Sequence, residues 1–403
     1  MYKAYKYRLY PNKNQEQLIL QHIGCCRYIY NYGLNKKMSA YQTDKSSVSR
    51  FQIQDDLPIL KKQSDTSFLK NVNSLSLQAA LACLDNAFTR FFKEKKGFPK
   101  FKSKKDNQQS FIIPQNTKVD FESNRIFIPK FKQGIKCKLH RTFDGKIKSS
   151  TISKTPTGKY FISILVETNE AVPYKKPCCE NQAVGIDLGI KTFATLSDNT
   201  KIDNPRNLKK SFKKLKKLQR EVSRKKKGSN NRTKAVKKLA LMHEKVTNKR
   251  SDFLHKVTHE LVCKYDTICL ETLSSKNMMK NHKLAQALSD IAIGKFNEMI
   301  NYKGEWYGTN ILRIGRFEPS SKMCTCGYVN KELKLSERTW TCPECGAVHD
   351  RDLLAANNIK RFSFCKNNTA GTAEIHACGD MNDISCSVQE APSFMGCSSQ
   401  FIN

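Results

Sequence analysis

Apolar residues change their spacing twice within the first 170 positions. Tyr5, Tyr7 and Leu9 alternate with Lys6 and Arg8 before Pro11, which predicts a short strand with one face toward a core. From about Asn14 to Phe92 the spacing turns helical. There Leu77, Leu81, Leu84 and Phe88 form one stripe of a helix that ends near Phe92. Residues 97–105, GFPKFKSKK, break that helix and set basic beside aromatic side chains. The runs SFIIP, RIFIP, STISK and KYFISILVET then follow between Asn, Gly and Pro turns, and each predicts a strand. A small β-barrel carrying inserted helices is the expected first lobe, with residues 173–180 as a linker.

A second lobe begins at Ala183. AVGID predicts a strand ending in Asp187, and TFATLS returns after a glycine-containing turn, so the two predict a hairpin. Leu208, Phe212, Leu215, Leu218 and Val222 mark a helix, the chain turns at 228–231, and Val236, Leu239, Met242 and Val246 restart the stripe. The strand YDTICLE ends in Glu271. A helix over 284–306 and the strand NILRIG lead into a cysteine cluster, and the polar, unperiodic residues from 367 onward predict a disordered tail. The fold class expected is mixed α/β in several domains.

Composition narrows the function. The 403 residues hold 71 Lys+Arg against 36 Asp+Glu, a formal net charge of +35. Such an excess calls for a polyanion, and nucleic acid is the first candidate. No run nears the ~18 apolar residues of a membrane span, and the start MYKAYKYRLYP lacks the apolar centre of a secretory signal. A cytoplasmic protein with no membrane partner is expected. The charge is uneven: residues 201–260 carry 21 Lys+Arg and 5 Asp+Glu. A solvated helix face normally mixes both signs, so a phosphate backbone lying on this hairpin is the better account.

Two constellations could do chemistry. Cys324-x-Cys326 and Cys342-Pro-Glu-Cys345 supply four thiolates, enough for a closed tetrahedral zinc, with Gly327 and Gly346 free to turn the backbone behind each pair. The first pair is one residue tighter than the usual C-x₂-C. Asp187 and Glu271 each end an apolar strand, and HDRD adds Asp350 and Asp352. Carboxylate oxygens at strand ends suit Mg²⁺, and two such ions about 3.5–4 Å apart can act on a phosphodiester.

GIDLGIKTFATLSDN (185–199), ICLETL (268–273) and PSSKMCTCG…ERTWTCPECGAVHDRDLLAANNI (319–359) resemble TnpB, the transposon-encoded relative of type V CRISPR effector nucleases. The opening YRLYPNKNQ…GCCRYIYN and the KGFPKFK patch match the same family, so the resemblance covers about residues 2–362. It implies an RNase H-like RuvC nuclease with a zinc ribbon inserted before its third motif. Asp187, Glu271 and Asp352 would be the catalytic Mg²⁺ ligands, with Asp350 in support, and Cys324, Cys326, Cys342 and Cys345 would hold structural Zn²⁺. The sequence departs from the family at Leu354, where Asn is usual, and at the C-x-C pair.

The implied organisation is a wedge-like β-barrel (1–12 and 98–178) with a helical recognition insertion (13–97). After it come a RuvC domain (182–318) with a basic hairpin (205–262), the ribbon (319–349), the third motif (350–365) and a tail (366–403). The implied activity is cleavage of double-stranded DNA directed by a guide RNA, the protein reading shape while base pairing reads sequence. Lys209, Lys213, Lys216, Lys217, Arg220 and Arg224 on the hairpin are the expected nucleic-acid contacts, with Arg27, Lys100 and Lys102 from the first lobe. The rivals are a non-cleaving RNA-guided repressor and a zinc-ribbon RNA-binding protein.

Overall fold

The computed structural model describes residues 1–369 apart from 108, 274–277 and 335. They fall into two units, one ending at Glu170 and the other starting at Ala171. The tail expected from residue 366 lies, from 370 on, outside the described residues.

In the first unit β1 (Tyr2–Tyr10) leads into α1 (Lys13–Asp44), α2 (Arg50–Gln54), α3 (Asp56–Lys62) and α4 (Ser74–Glu94). Asn12 starts α1 with a capping box: its side chain accepts from the Gln15 amide, and the Gln15 side chain accepts from the Asn12 amide. The strands β2 (Gln109–Ile113), β3 (Lys118–Asp120), β4 (Arg125–Phe127), β5 (Ile135–Lys138), β6 (Lys146–Lys154) and β7 (Tyr160–Glu167) complete the unit. They form one antiparallel sheet in the order β2-β6-β7-β1-β5-β4-β3. Tyr7, Leu9, Ile152, Ile162 and Ile164 alternate inward from this sheet and share a buried core with Ile19, Ile23, Leu77 and Leu81 of α1 and α4.

The expected barrel is corrected here, because the sheet is open. Its end strands β2 and β3 do not pair, and α1 and α4 pack against β2. The helices pack on the face of the sheet there, with His22 of α1 stacked on Phe111 of β2.

The second unit contains β8 (Ala183–Leu188), β9 (Thr192–Leu196), β10 (Lys201–Asp203), α5 (Asn207–Arg224), α6 (Asn230–Lys264) and β11 (Thr267–Glu271). After these come α7 (His282–Ile291), α8 (Ile293–Tyr307), β12 (Asn310–Ile314), β13 (Thr339–Thr341), β14 (Val348–Asp350) and α9 (Arg351–Thr369). The main sheet has the order β10-β9-β8-β11-β12, with β8, β11 and β12 parallel. Ile268 and Leu270 of β11 face the core built with α6 and α8, while Cys269 faces Ile359 of α9. Burial on both faces is why ICL (268–270) reads as an unbroken apolar run.

Close approach explains one glycine. A Cβ on Gly185 would lie 2.0 Å from the Ala356 carbonyl oxygen and 2.8 Å from the Lys360 amide. Only a glycine lets the backbone of α9 rest on β8 at this point.

Three expectations shift. The helix expected over 284–306 is two helices, broken at Ala292, whose φ of 52° is left-handed. On α6 the inner stripe uses Ala235, which is buried, and Val236 faces outward at 45% exposure. The linker segment has no regular structure except a short turn at its end. It is nevertheless tied down: the Lys176 amide donates to the Gly308 carbonyl, the Asn310 side chain donates to the Lys176 carbonyl, and Lys176 pairs with Asp266 at 2.7 Å.

Candidate active site

Parallel strands present their ends on one side of a sheet, and the acids use that arrangement. Asp187 stands near the end of β8, Glu271 ends the neighbouring β11, and Asp352 lies in the first turn of α9. All three line one cavity of about 390 Å³, together with Thr192, Thr195, Ser320, Arg338 and Arg351. Burial pushes the Asp187 carboxyl up to about 7, and the charges of Glu271 and Asp352 push the same way against Arg351 and Arg338. Like charges gathered in a partly buried place are costly without a cation.

Arg338 partly supplies one, since its Nη1 donates to an Asp352 carboxylate oxygen at 2.9 Å. Ser320 Oγ donates to Glu271. Both residues sit on the chain that runs through the cysteine cluster. Arg351, 8% exposed, donates from its side chain to the Lys334 carbonyl, and its amide donates to the Arg338 carbonyl at 2.8 Å. Asn358 on α9 donates to the carbonyls of Ser320 and Met323. These contacts fix Ser320 and Arg338 relative to α9.

Asp350 is placed differently. Its Oδ1 accepts from the amides of Asp352 and Leu353, its Oδ2 pairs with Lys201 at 3.0 Å, and it does not line the cavity. Its burial is offset by Lys201 and those amides, so its carboxyl sits below the usual range. A carboxylate at a helix N-terminus that caps its amides has a structural occupation.

The four sulfurs of Cys324, Cys326, Cys342 and Cys345 lie within 4.8 Å of one another. Cys324 and Cys345 are 3.5 Å apart, and Cys326 and Cys342 are 3.7 Å apart. Tetrahedral zinc with Zn–S near 2.3 Å requires about 3.8 Å between sulfurs, so this set fits a structural zinc ribbon. The tighter C-x-C pair contributes both thiols because the chain reverses sharply behind it, with Gly327 at φ 102° and the Cys324 amide donating to the Tyr328 carbonyl. His349 Nε2 lies 3.0 Å from Cys324 Sγ, as the orienting partner of a metal thiolate does. Leu354 is buried with Cys324, Leu333, Trp340 and Cys342, which accounts for an apolar residue at that position.

Comparison with known proteins places the chain. A family model described as "Probable transposase" matches residues 163–282, a "Helix-turn-helix domain" model matches 1–46, and a "Cas12f1-like, TNB domain" model matches 294–359. A Streptomyces pristinaespiralis protein named "Putative RNA-guided DNA endonuclease" is 38% identical over 382 residues, covering 94% of this chain and 91% of its own. This chain belongs to the TnpB family. "Putative RNA-guided DNA endonuclease InsQ" of Escherichia coli (strain K12) is 30% identical over 98% of both chains. TnpB-like protein L79 of Acanthamoeba polyphaga mimivirus is 24% identical, covering 88% of this chain and 72% of its own. Among solved structures, the Cas12f1–sgRNA–target DNA complex aligns with 89% of this chain and 98% of its own at 14% identity and a TM-score of 0.47. Over residues 1–46 this TnpB chain folds as a strand and one long helix, β1 and α1.

The basic residues separate into two groups. Lys213, Lys216, Lys217, Arg220 and Arg224 of α5 line one open groove of about 450 Å³. Lys209 lies outside that lining, and its amide helps bind the Asp290 carboxylate, which holds the start of α5. In the first unit, Arg27 is half-buried on α1 and Lys100 is exposed. Lys102 is anchored: its backbone exchanges two hydrogen bonds with the Asn31 side chain, and its ammonium sits 4.0 Å from the Tyr30 ring centroid.

Sequence reasoning missed Ser320, Arg338, Arg351 and Asn358. All four stood inside the 319–359 segment that resembles the family, but only Arg351, between Asp350 and Asp352, and Asn358, in AANNI, had a telling place within it. The others touch the site through tertiary contacts that no spacing announces. Among the described residues no helix is long and apolar enough to cross a membrane.

Proposed function

We propose that this chain is an RNA-guided DNA endonuclease that cuts double-stranded target DNA at the cavity lined by Asp187, Glu271 and Asp352. The observation that carries this reading is the convergence of three acids, from three distant stretches of chain, on one cavity in a TnpB-family protein. Their hard oxygens, and an Asp187 carboxyl raised to about 7 by burial and its acidic neighbours, suit Mg²⁺. When bound, that cation supplies Lewis-acid stabilisation to a phosphodiester under attack.

The chain's own groups have assignable tasks. Asp187, Glu271 and Asp352 hold the cation, Ser320 orients Glu271, and Arg338 holds Asp352 while turning positive charge toward an arriving phosphate. Asp350 caps α9 and so sets the position of Asp352. Cys324, Cys326, Cys342 and Cys345 hold zinc, which fixes the loop that carries Arg338. The α5 groove takes a nucleic-acid backbone through Lys213, Lys216, Lys217, Arg220 and Arg224, with Lys209, Arg27, Lys100 and Lys102 as further contacts. A guide RNA selects the target by pairing.

In domain terms the reading assigns 1–12 and 98–178 to a wedge around a recognition insertion of 13–97. It assigns 182–318 and 350–365 to a RuvC nuclease of RNase H type, interrupted by the ribbon at 319–349. The protein acts in the cytoplasm, where its nucleic acids are.

The test is cleavage of a duplex matched to the copurifying RNA, with Mg²⁺, by wild type beside Asp187→Ala. Cutting by wild type and none by the variant is expected. Equal cutting removes the site assignment, and tight matched binding without any nicking turns the reading into that of a repressor.

A further inference from the structure

An isolated apolar side chain on a protein surface is ordinary, and the described residues contain several. Phe317 stands apart in position, on the segment between β12, which pairs with the strand of Glu271, and Ser320. It is 90% exposed. The Arg316 guanidinium lies 5.5 Å from its ring centroid, which leaves the rest of the ring to solvent. The short loop that carries it is fixed at both ends to the strand of one acid. Upstream, Ile314 pairs with Glu271 in the parallel register of β12 and β11, and the Thr272 hydroxyl donates to the Ile314 carbonyl. Downstream, the Ser320 hydroxyl donates to Glu271 itself, and the Ser320 amide donates to the Glu318 carbonyl.

Chain length then limits where Phe317 can be. It is three residues from Ile314 and three from Ser320, so its Cα lies at most about 11 Å from either anchor. At about 3.4 Å per stacked base, that limit equals about three nucleotide spacings, measured from the anchors that touch Glu271's strand and side chain. The ring is outside the cavity lining.

We infer that Phe317 is a base-stacking platform for single-stranded nucleic acid entering or leaving the acid cavity, with Arg316 drawing in the adjoining phosphate. Stacking on an aromatic ring tolerates every base, because each has a π-face. A guided nuclease needs this tolerance, since the sequence at the cut varies with the guide. A flat ring beside the cavity holds the strand without reading it. The inference takes its substrate from the nuclease reading, and the ring's positioning task is distinct from the chemistry of the acids.

The test uses full-length protein with its copurified RNA and two readouts. In single-turnover cleavage of a guide-matched duplex, Phe317→Ala is expected to slow cutting by about 10-fold or more. Phe317→Trp should restore the rate and Phe317→Leu should not, which separates stacking from simple apolar packing. An abasic nucleotide at the stacked position should slow wild type and leave Phe317→Ala unchanged. The second readout needs no cutting: single-stranded DNA carrying 2-aminopurine is titrated with Asp187→Ala protein, and its fluorescence change should disappear when Phe317→Ala is added to that background. Rescue by Leu equal to that by Trp, or a fluorescence change indifferent to Phe317, overturns the platform whatever the cleavage result. A wild type that never cuts but shows the Phe317-dependent change removes the nuclease reading and leaves the platform standing.

Discussion

Replacing Asp187 with Asn should make the metal-free protein more stable while abolishing its activity. Burial and the charges of Glu271 and Asp352 raise this carboxyl from 3.8 to about 7. The folded state therefore favours the protonated form, and stability falls as pH rises from the unfolded value toward 7, then levels off. At pH 8 the full difference applies, and at about 1.36 kcal/mol per unit it reaches about 4 kcal/mol. At pH 5 only the interval above the unfolded value counts, about 1.6 kcal/mol on the same scale. Asn has the same shape and no charge to bury. If half of the larger figure survives relaxation, about 2 kcal/mol, a unit of this size should gain roughly 4–8 °C in Tm. The assay is thermal unfolding in EDTA at pH 8 and pH 5, repeated with excess Mg²⁺. In EDTA the Asn variant should melt above wild type, by more at pH 8 than at pH 5, and Mg²⁺ should narrow the gap by stabilising wild type alone. A variant that melts at or below wild type in EDTA at pH 8 would refute the argument, because it would mean that Asp187 bears no cost of burial.

Zinc analysis should find about one ion per chain, and Cys342→Ser with Cys345→Ser should lose it; retained metal would contradict the ribbon site. Gly185→Ala should cost about 3 kcal/mol in urea unfolding, because the new methyl meets the backbone of α9 rather than a flexible side chain; a neutral substitution would show that α9 can step aside. The buried His22 should make the first unit sensitive to acid. Its Nδ1–H donates to the Leu18 carbonyl, its Nε2 accepts from the Asn73 amide, and burial lowers its pKa. Stability should therefore fall as pH drops below about 6.5, where the unfolded histidine takes a proton that the folded one resists. His22→Gln should flatten that dependence in thermal melts between pH 7.5 and 5, and an unchanged slope would exonerate the ring.

Local pattern made much of the fold legible. Strand alternation announced β1 and β7, the Leu77–Phe88 stripe announced α4, and the apolar runs before Asp187 and Glu271 announced β8 and β11. What alternation cannot say is whether two sheet edges meet, so an open sheet with helices against β2 read as a barrel. The break at Ala292 was also hidden, since alanine ordinarily favours a continuous helix and tertiary packing overrides it here. In the site, carboxylates at strand ends stood out because charge next to buried runs is rare. Ser320 and Arg338 did not, for a serine and an arginine in a polar stretch look like solvent-facing residues until the fold brings them to Glu271 and Asp352.

The resting of α9 on Gly185 has a consequence for the order of synthesis. Asp187 and Glu271 leave the ribosome long before Asp352, and the cavity lacks its third wall until α9 has been made and has settled on β8. The basic groove of α5 is complete well over a hundred residues earlier. On the proposed function, a nascent chain acquires the groove that grasps nucleic acid before it acquires the cavity that cuts it. Because the strand that carries the first acid also serves as the seat for the last helix, the acid cavity is the final part of this unit that the growing chain completes.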